Sequence, residues 1–135
     1  MFATEPCHKI RYILNYYSRI GFSMNIEQRI LEKLGHLEME MRDKSLWDEL
    51  PPSPEAFESV EPFAIDTMEA AQWLQWILIP RLTAMIDQGA MLPNNFAIAP
   101  YFEDIYKEDE EGRFIVFLDH LRELDSYFQF TMMGE

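Results

Sequence analysis

A single cysteine, Cys7, means that no intrachain disulfide can close this chain of 135 residues. That usage fits a reducing compartment, and a cytoplasmic setting is expected. Glycine is scarce, at five residues, and runs of Val, Ile and Thr are few, which argues against a sheet protein. Apolar runs such as Trp76–Pro80 fall far short of a membrane span. The start of the chain has no apolar segment followed by a small-residue cleavage site, so no secretory signal is read. Basic residues are outnumbered 11 to 24 by acidic ones, for a net charge of −13, and they form no cluster. Nucleic-acid binders depend on such clusters to neutralise phosphates, so direct nucleic-acid binding is not expected. The acidic surface suits solubility, or the docking of a basic partner.

What is present is a chain that can bury a core. Its hydrophobic fraction is 48%, with 14% aromatic residues, too much for disorder. Its length suits one domain. Leu, Met, Glu, Gln, Arg and Ala dominate the periodic stretches, which favours helix. Residues 1–23 differ in charge from the rest: Lys9, Arg11 and Arg19 against Glu5 give +2, whereas residues 24–135 carry 8 basic and 23 acidic residues, a net of −15. Two readings of 1–23 stay open. Either Met24 is the true start, or residues 8–20 form a short helix that docks through Tyr12, Tyr16 and Tyr17.

Residues 26–43 read as the first core helix. Asn25 and Gln28 stand in capping-box positions, and Ile26, Ile30, Leu34, Leu37 and Met41 recur at three- and four-residue steps. A long connection, 44–65, contains the helix-stopping PPSPE at 51–55 and large apolar groups (Leu46, Trp47, Leu50, Phe57, Val60, Phe63 and Ile65) that are expected to pin it across the bundle. The central helix is expected over 66–88, with Asp66 as N-cap, Glu69 at N3, Gly89 just past the end and a kink near Trp76–Pro80. A turn at 89–99, a short helix at 100–108, a solvated break at 107–112 and a last helix at 112–129 complete the chain, with 131–135 expected to fray.

The strings EPF at 61–63, DTM at 66–68, WLQW at 73–76, LIPR at 78–81, LP at 92–93 and FAIAPYFE at 96–103 resemble the YqcC-like family of small bacterial proteins, and LRELDSYF at 121–128 is similar to the family's last helix. The resemblance covers roughly residues 26–128, and the extension 1–23 departs from it. It implies an all-α, compact four-helix bundle over 24–130, with the Pro-containing connection between the first and second core helices. It implies little about activity. Members are often encoded beside a tRNA pseudouridine synthase, and some carry that label by proximity. The G-R-L-D catalytic string of such enzymes is missing; the nearest approach is Pro80-Arg81-Leu82-Thr83.

No other catalytic motif stands out. There is no G-x-S-x-G elbow and no glycine-rich phosphate loop. The only Glu-x-x-His pair, Glu5 and His8, lies in the extension, and no metal or other cofactor is expected. The polar residues of the central stretch, Asp66, Gln72, Gln75 and Arg81, sit among bulky apolar neighbours; capping by Asp66 and an internal salt bridge from Arg81 are the structural expectation. The functional one is a small cleft lined by Trp73, Trp76, Arg81, Tyr101 and Glu103. Trp47, in the connection, is the tryptophan best placed for an interface, or else a lid on the bundle. The leading expectation is a non-enzymatic accessory protein that binds another protein, and the alternative a small-molecule-binding or enzymatic module around Arg81, Tyr101 and Glu103. The oligomeric state is not legible. Mass spectrometry of the native N-terminus separates the two readings of 1–23: a mature chain beginning at Met1 to Thr4 leaves only the docked helix.

Overall fold

Residues 25–129 are described by a computed structural model of the protein, and four helices frame them, with no strand among the described residues. Helix α1 is Ile26–Asp43. Helix α2 runs without interruption over 70–87 in three pieces, Ala70–Trp73, Leu74–Leu78 and Ile79–Asp87. Helix α3 is Ala99–Ile105 and α4 is Ile115–Ser126. The readings for 1–23, for Cys7 and His8, and for the tail at 131–135 fall on residues outside those described.

Helix α1 begins as its sequence demands. The Gln28 N–H donates to Asn25 Oδ1 at 2.9 Å, and the Asn25 N–H donates to Gln28 Oε1 at 3.0 Å. Ile30, Leu34, Leu37 and Met41 are completely buried along one stripe. The helix stops at Ser45, whose φ of 60° is left-handed; the Ser45 N–H reaches Arg42 O and the Leu46 N–H reaches Met41 O at 2.7 Å. This is a Schellman arrangement with serine where glycine is usual.

Helix α2 is capped three residues later than expected. Glu69, not Asp66, is the N-cap, and its N–H donates to Gln72 Oε1 at 2.9 Å. Asp66 instead accepts from the Ser59 hydroxyl. The delay has a backbone cause: Phe63 (φ 59°) and Ala64 (φ 48°) are both left-handed, and the chain from 61 to 68 is wound into tight turns that no α-helix can continue. Near Trp76–Pro80, where the sequence predicts a kink, the helix carries a π turn. The Ile79 N–H donates to Leu74 O, five residues back, within Leu74–Leu78. Pro80 has no N–H to return to the Trp76 carbonyl, so the widened turn sits where the regular ladder is already broken. Gly89 (φ 70°) ends the helix, with its N–H on Ile86 O and the Ala90 N–H on Met85 O.

Helix α1 packs most extensively on α4 and also touches α2, and α3 packs on α4. Their shared core holds Ile30, Leu34, Leu37, Leu74, Leu78, Leu82, Phe102, Phe117, Leu121, Leu124 and Phe128. The expected pinning of the connection by its apolar residues holds in part. Leu46, Trp47 and Phe63 pack against the core, but Leu50, Phe57, Val60 and Ile65 are exposed. The underside is occupied instead by small groups, Ala56 and Ala64 with Met68, packed on Trp73 and Ile77.

The α1–α4 seam carries one polar cluster. Lys33 is buried, and its Nζ lies 2.6 Å from Glu123 Oε1 and 3.0 Å from His120 Nδ1. The pairing offsets the desolvation of the ammonium, and the hydrogen bond from Lys33 holds the Glu123 carboxyl below its usual range. The His120 ring lies 5.2 Å from that of His36. Burial first, then the charges of Lys33 and His36, lower the His120 pKa from 6.5 against the weaker pull of Glu40 and Glu123. His120's contribution to stability is therefore complete above 6.5 and is lost as pH falls through the depressed folded value. Thermal melts between about pH 7.5 and pH 5 should show the wild type losing stability on acidification and His120→Gln losing less; parallel slopes would refute this assignment.

Candidate functional site

Three segments that are far apart in sequence meet at one aromatic joint. The Phe63 ring stacks on Tyr101 with centroids 4.2 Å apart, and Trp73 meets Phe63 edge-on at 4.8 Å. These residues come from the EPF, WLQW and FAIAPYFE strings, so the tertiary fold brings three of the marked strings of the sequence to one place. Phe63 keeps its left-handed backbone there, a conformation costing ~1–3 kcal/mol that the surrounding packing must over-determine.

Each partner in the joint is positioned from outside. Asp125 of α4 is buried, and its carboxylate accepts from the Ile98 N–H at 2.9 Å on each oxygen and from the Ala99 N–H at 2.8 Å. Ile98 cannot cap α3 with its own side chain, so an acid from another helix does so and fixes the segment that carries Tyr101. Burial pushes the Asp125 carboxyl above its ordinary value, and the two backbone N–H groups pull it back only in part. On the other side, buried Gln75 accepts from the Asp48 N–H and donates to the Asp48 carbonyl, both at 2.8 Å. The connection is thus tied to the central helix at Asp48, and it is tied to itself through the Thr67 hydroxyl, which donates to the Ala56 carbonyl at 2.8 Å.

The six residues picked out in the sequence divide between this joint and its surroundings. Trp73 and Tyr101 are brought together through Phe63. Trp76 is half-buried in the π turn, with Nε1 buried and lacking a hydrogen-bond partner among the described residues. Trp47 packs on the core beneath the Arg42 guanidinium, which lies 4.9 Å from the ring centroid, a lid arrangement. Arg81 is exposed and forms no ion pair among the described residues, so the expected internal salt bridge is corrected: its position on the helix turns it to solvent. Glu103 pairs instead with Arg122 of α4, Oε2 to Nε at 2.5 Å. Gln75 stood out in the sequence as a polar residue among apolar neighbours and Asp125 did not, and the partners of both escape sequence reasoning because they are backbone groups 26 or 27 positions away.

No three His, Cys, Asp or Glu side chains converge as a metal-holding group among the described residues. The depression at 108–111 is lined by Glu108, Asp109, Glu110 and Glu111, the solvated break of the sequence. No described helix is long and apolar enough to cross a membrane.

Comparison with known proteins adds the following. The family DUF446, described as "tRNA pseudouridine synthase C", matches residues 29–127. The uncharacterized protein YqcC of Escherichia coli K12 is 39% identical over 105 residues, spanning 78% of this chain and 95% of YqcC. An uncharacterized protein of Haemophilus influenzae is 49% identical over 80 residues, 59% of this chain and 76% of that one. A Pectobacterium carotovorum protein named tRNA pseudouridine synthase C is 38% identical over 73 residues, which are 54% of this chain but only 19% of that much longer protein. The solution NMR structure of E. coli YqcC superposes with a TM-score of 0.69 at 39% identity, covering 78% of this chain and 89% of that one.

Truncating the ring at the centre of the joint should loosen the connection without unfolding the bundle. Phe63→Ala is expected to lower stability by less than the ~3–5 kcal/mol typical of a fully buried phenylalanine, and to shift tryptophan emission to the red while far-UV circular dichroism is retained. Unchanged emission and an unchanged melt would show that the joint contributes nothing.

Proposed function

The chain belongs to the YqcC-like family, DUF446, and from that premise we propose that it is a non-enzymatic accessory protein of tRNA modification, which works in the cytoplasm by binding a pseudouridine synthase. The observation that carries this reading is the Pectobacterium protein, in which a stretch similar to residues of this chain makes up 19% of a longer protein named tRNA pseudouridine synthase C. Where two modules share one chain, the linker supplies an effective concentration in the ~millimolar range. Where they are separate chains, an interface must supply the association instead. The chemistry is assigned to the partner, because the sequence carries no catalytic motif that would give this chain a share in it.

The net charge of −13 supports the same division of labour. An acidic module repels tRNA phosphates, so any contribution to tRNA modification runs through the enzyme rather than through direct contact with RNA. The two purified proteins, this chain and the tRNA pseudouridine synthase of the same organism, should co-elute from size exclusion as an equimolar complex at about 50 mM salt, where charge attraction is least screened. This chain alone should leave tRNA unshifted in a gel under the same conditions. Separate elution of the two proteins would overturn the reading, and a tRNA shift by this chain alone would replace it with an RNA-binding one.

A further inference from the structure

The connection from Asp48 to Glu69 is the least expected part of the surface. Four large apolar side chains stand out from it: Leu50 is 79% exposed, Phe57 43%, Val60 93% and Ile65 57%. The other large apolar residues exposed among those described, Met39, Met91, Ile105, Ile115 and Val116, are spread over four further segments of the chain. Four of the nine large apolar residues exposed among those described thus fall in this one stretch, and exposed apolar groups that gather in one region mark contact surfaces more often than scattered ones do.

The same stretch has a charge of one sign. Asp48, Glu49, Glu55, Glu58, Glu61, Asp66 and Glu69 make seven acids, and residues 45–69 contain no Lys, Arg or His. All but Asp48 are exposed. Apolar groups are therefore interleaved with carboxylates along one strap.

The strap is also held still. Gln75 grips both backbone groups of Asp48, Thr67 donates to the Ala56 carbonyl, Ser59 donates to Asp66, and Phe63 is clamped between Trp73 and Tyr101. Pro51, Pro52, Pro54 and Pro62 restrict the backbone between these ties. Ala56, Ala64 and Met68 also pack with Trp73 and Ile77. Leu50, Val60 and Ile65 are thus not consumed by folding, and a segment ordered in advance loses little entropy on binding.

We propose that this strap, residues 48–69, is the docking face for the pseudouridine synthase, and that the synthase meets it with an apolar patch rimmed by Lys and Arg. The inference rests on the accessory reading above. An enzyme that handles tRNA must carry Lys and Arg to meet the phosphates, and a protein surface of that sign is the one that seven carboxylates attract. The apolar groups supply the buried centre of the contact and the carboxylates its rim.

Isothermal titration of the full-length chain against the synthase of the same organism tests both levels. Val60→Arg with Ile65→Arg should weaken binding by at least about tenfold, while Met91→Arg, equally exposed but outside the strap, leaves Kd unchanged. Glu58→Lys with Glu61→Lys should weaken binding and flatten its dependence on salt between about 50 and 300 mM. Because these side chains face solvent, all variants should melt as the wild type does, and the melts confirm that a loss of binding is not a loss of fold. If the wild type binds and the strap variants bind equally well, the docking face lies elsewhere and the accessory reading stands. If the wild type does not bind, the accessory reading falls and this proposal with it. Self-association in sedimentation that Val60→Arg abolishes, or synthase binding that appears only when residues 1–23 are deleted, would assign the strap to a second copy or to the chain's own basic N-terminal segment and overturn the proposal.

Discussion

The carboxylate of Asp125 is the contact on which the arrangement around the site depends. It takes the free N–H groups of Ile98 and Ala99 at the start of α3, where the local sequence offers no capping side chain. Helix α3 is only seven residues long and cannot sustain itself without tertiary support. Anchored to α4, it buries Phe102 in the core and presents Tyr101 to Phe63. The stacked rings in turn hold a backbone turn that would be strained if left alone. A buried acid on one helix thereby governs a surface loop that it never touches.

The central helix supplies the second support, and its irregularity is part of how it does so. Helix α2 does not run as a regular rod: the π turn at Leu74–Leu78 precedes Pro80, where the regular ladder lacks a donor. Gln75 lies within that turn, and its amide, buried at 2% exposure, finds the backbone of Asp48 rather than water. A buried amide must be satisfied, and here the requirement fixes where the connection crosses the bundle. π turns recur at functional places in helices, and this one adjoins both the aromatic joint and the strap.

These supports separate two jobs that a surface loop usually mixes. Phe63, the small residues and Met68 seat the strap, while Leu50, Phe57, Val60, Ile65 and most of its carboxylates remain exposed. The module keeps a fold of its own, since its core is closed by α1, α2, α3 and α4 without them. Stretches similar to this chain make up 95% of E. coli YqcC and 19% of the longer Pectobacterium protein.

The all-α class, the extent of α1 and the identity of its buried stripe were legible in the sequence, because helical periodicity and capping act between residues three or four apart. Ile30, Leu34, Leu37 and Met41 are buried because their spacing puts them on one face, and Gly89 ends α2 because a left-handed residue there suits glycine. The late start of α2 was not legible. Asp66 and Glu69 satisfy the capping pattern as well as Glu69 and Gln72 do, and the left-handed turn at Phe63 and Ala64 that decides between them depends on rings from other helices. Trp73 and Tyr101 were recognisable as unusual, but not the ring that joins them, and Arg81 and Glu103 lay near them in the sequence yet turn to solvent and to Arg122. The connection's apolar residues all looked like anchors; only the packed structure separates Phe63, which is one, from Leu50, Val60 and Ile65, which face outward. Local pattern determines which helices form, since its energies are set within a turn or two. Which side chains are left exposed depends on how much of each surface the other helices cover, and that is decided only when they pack.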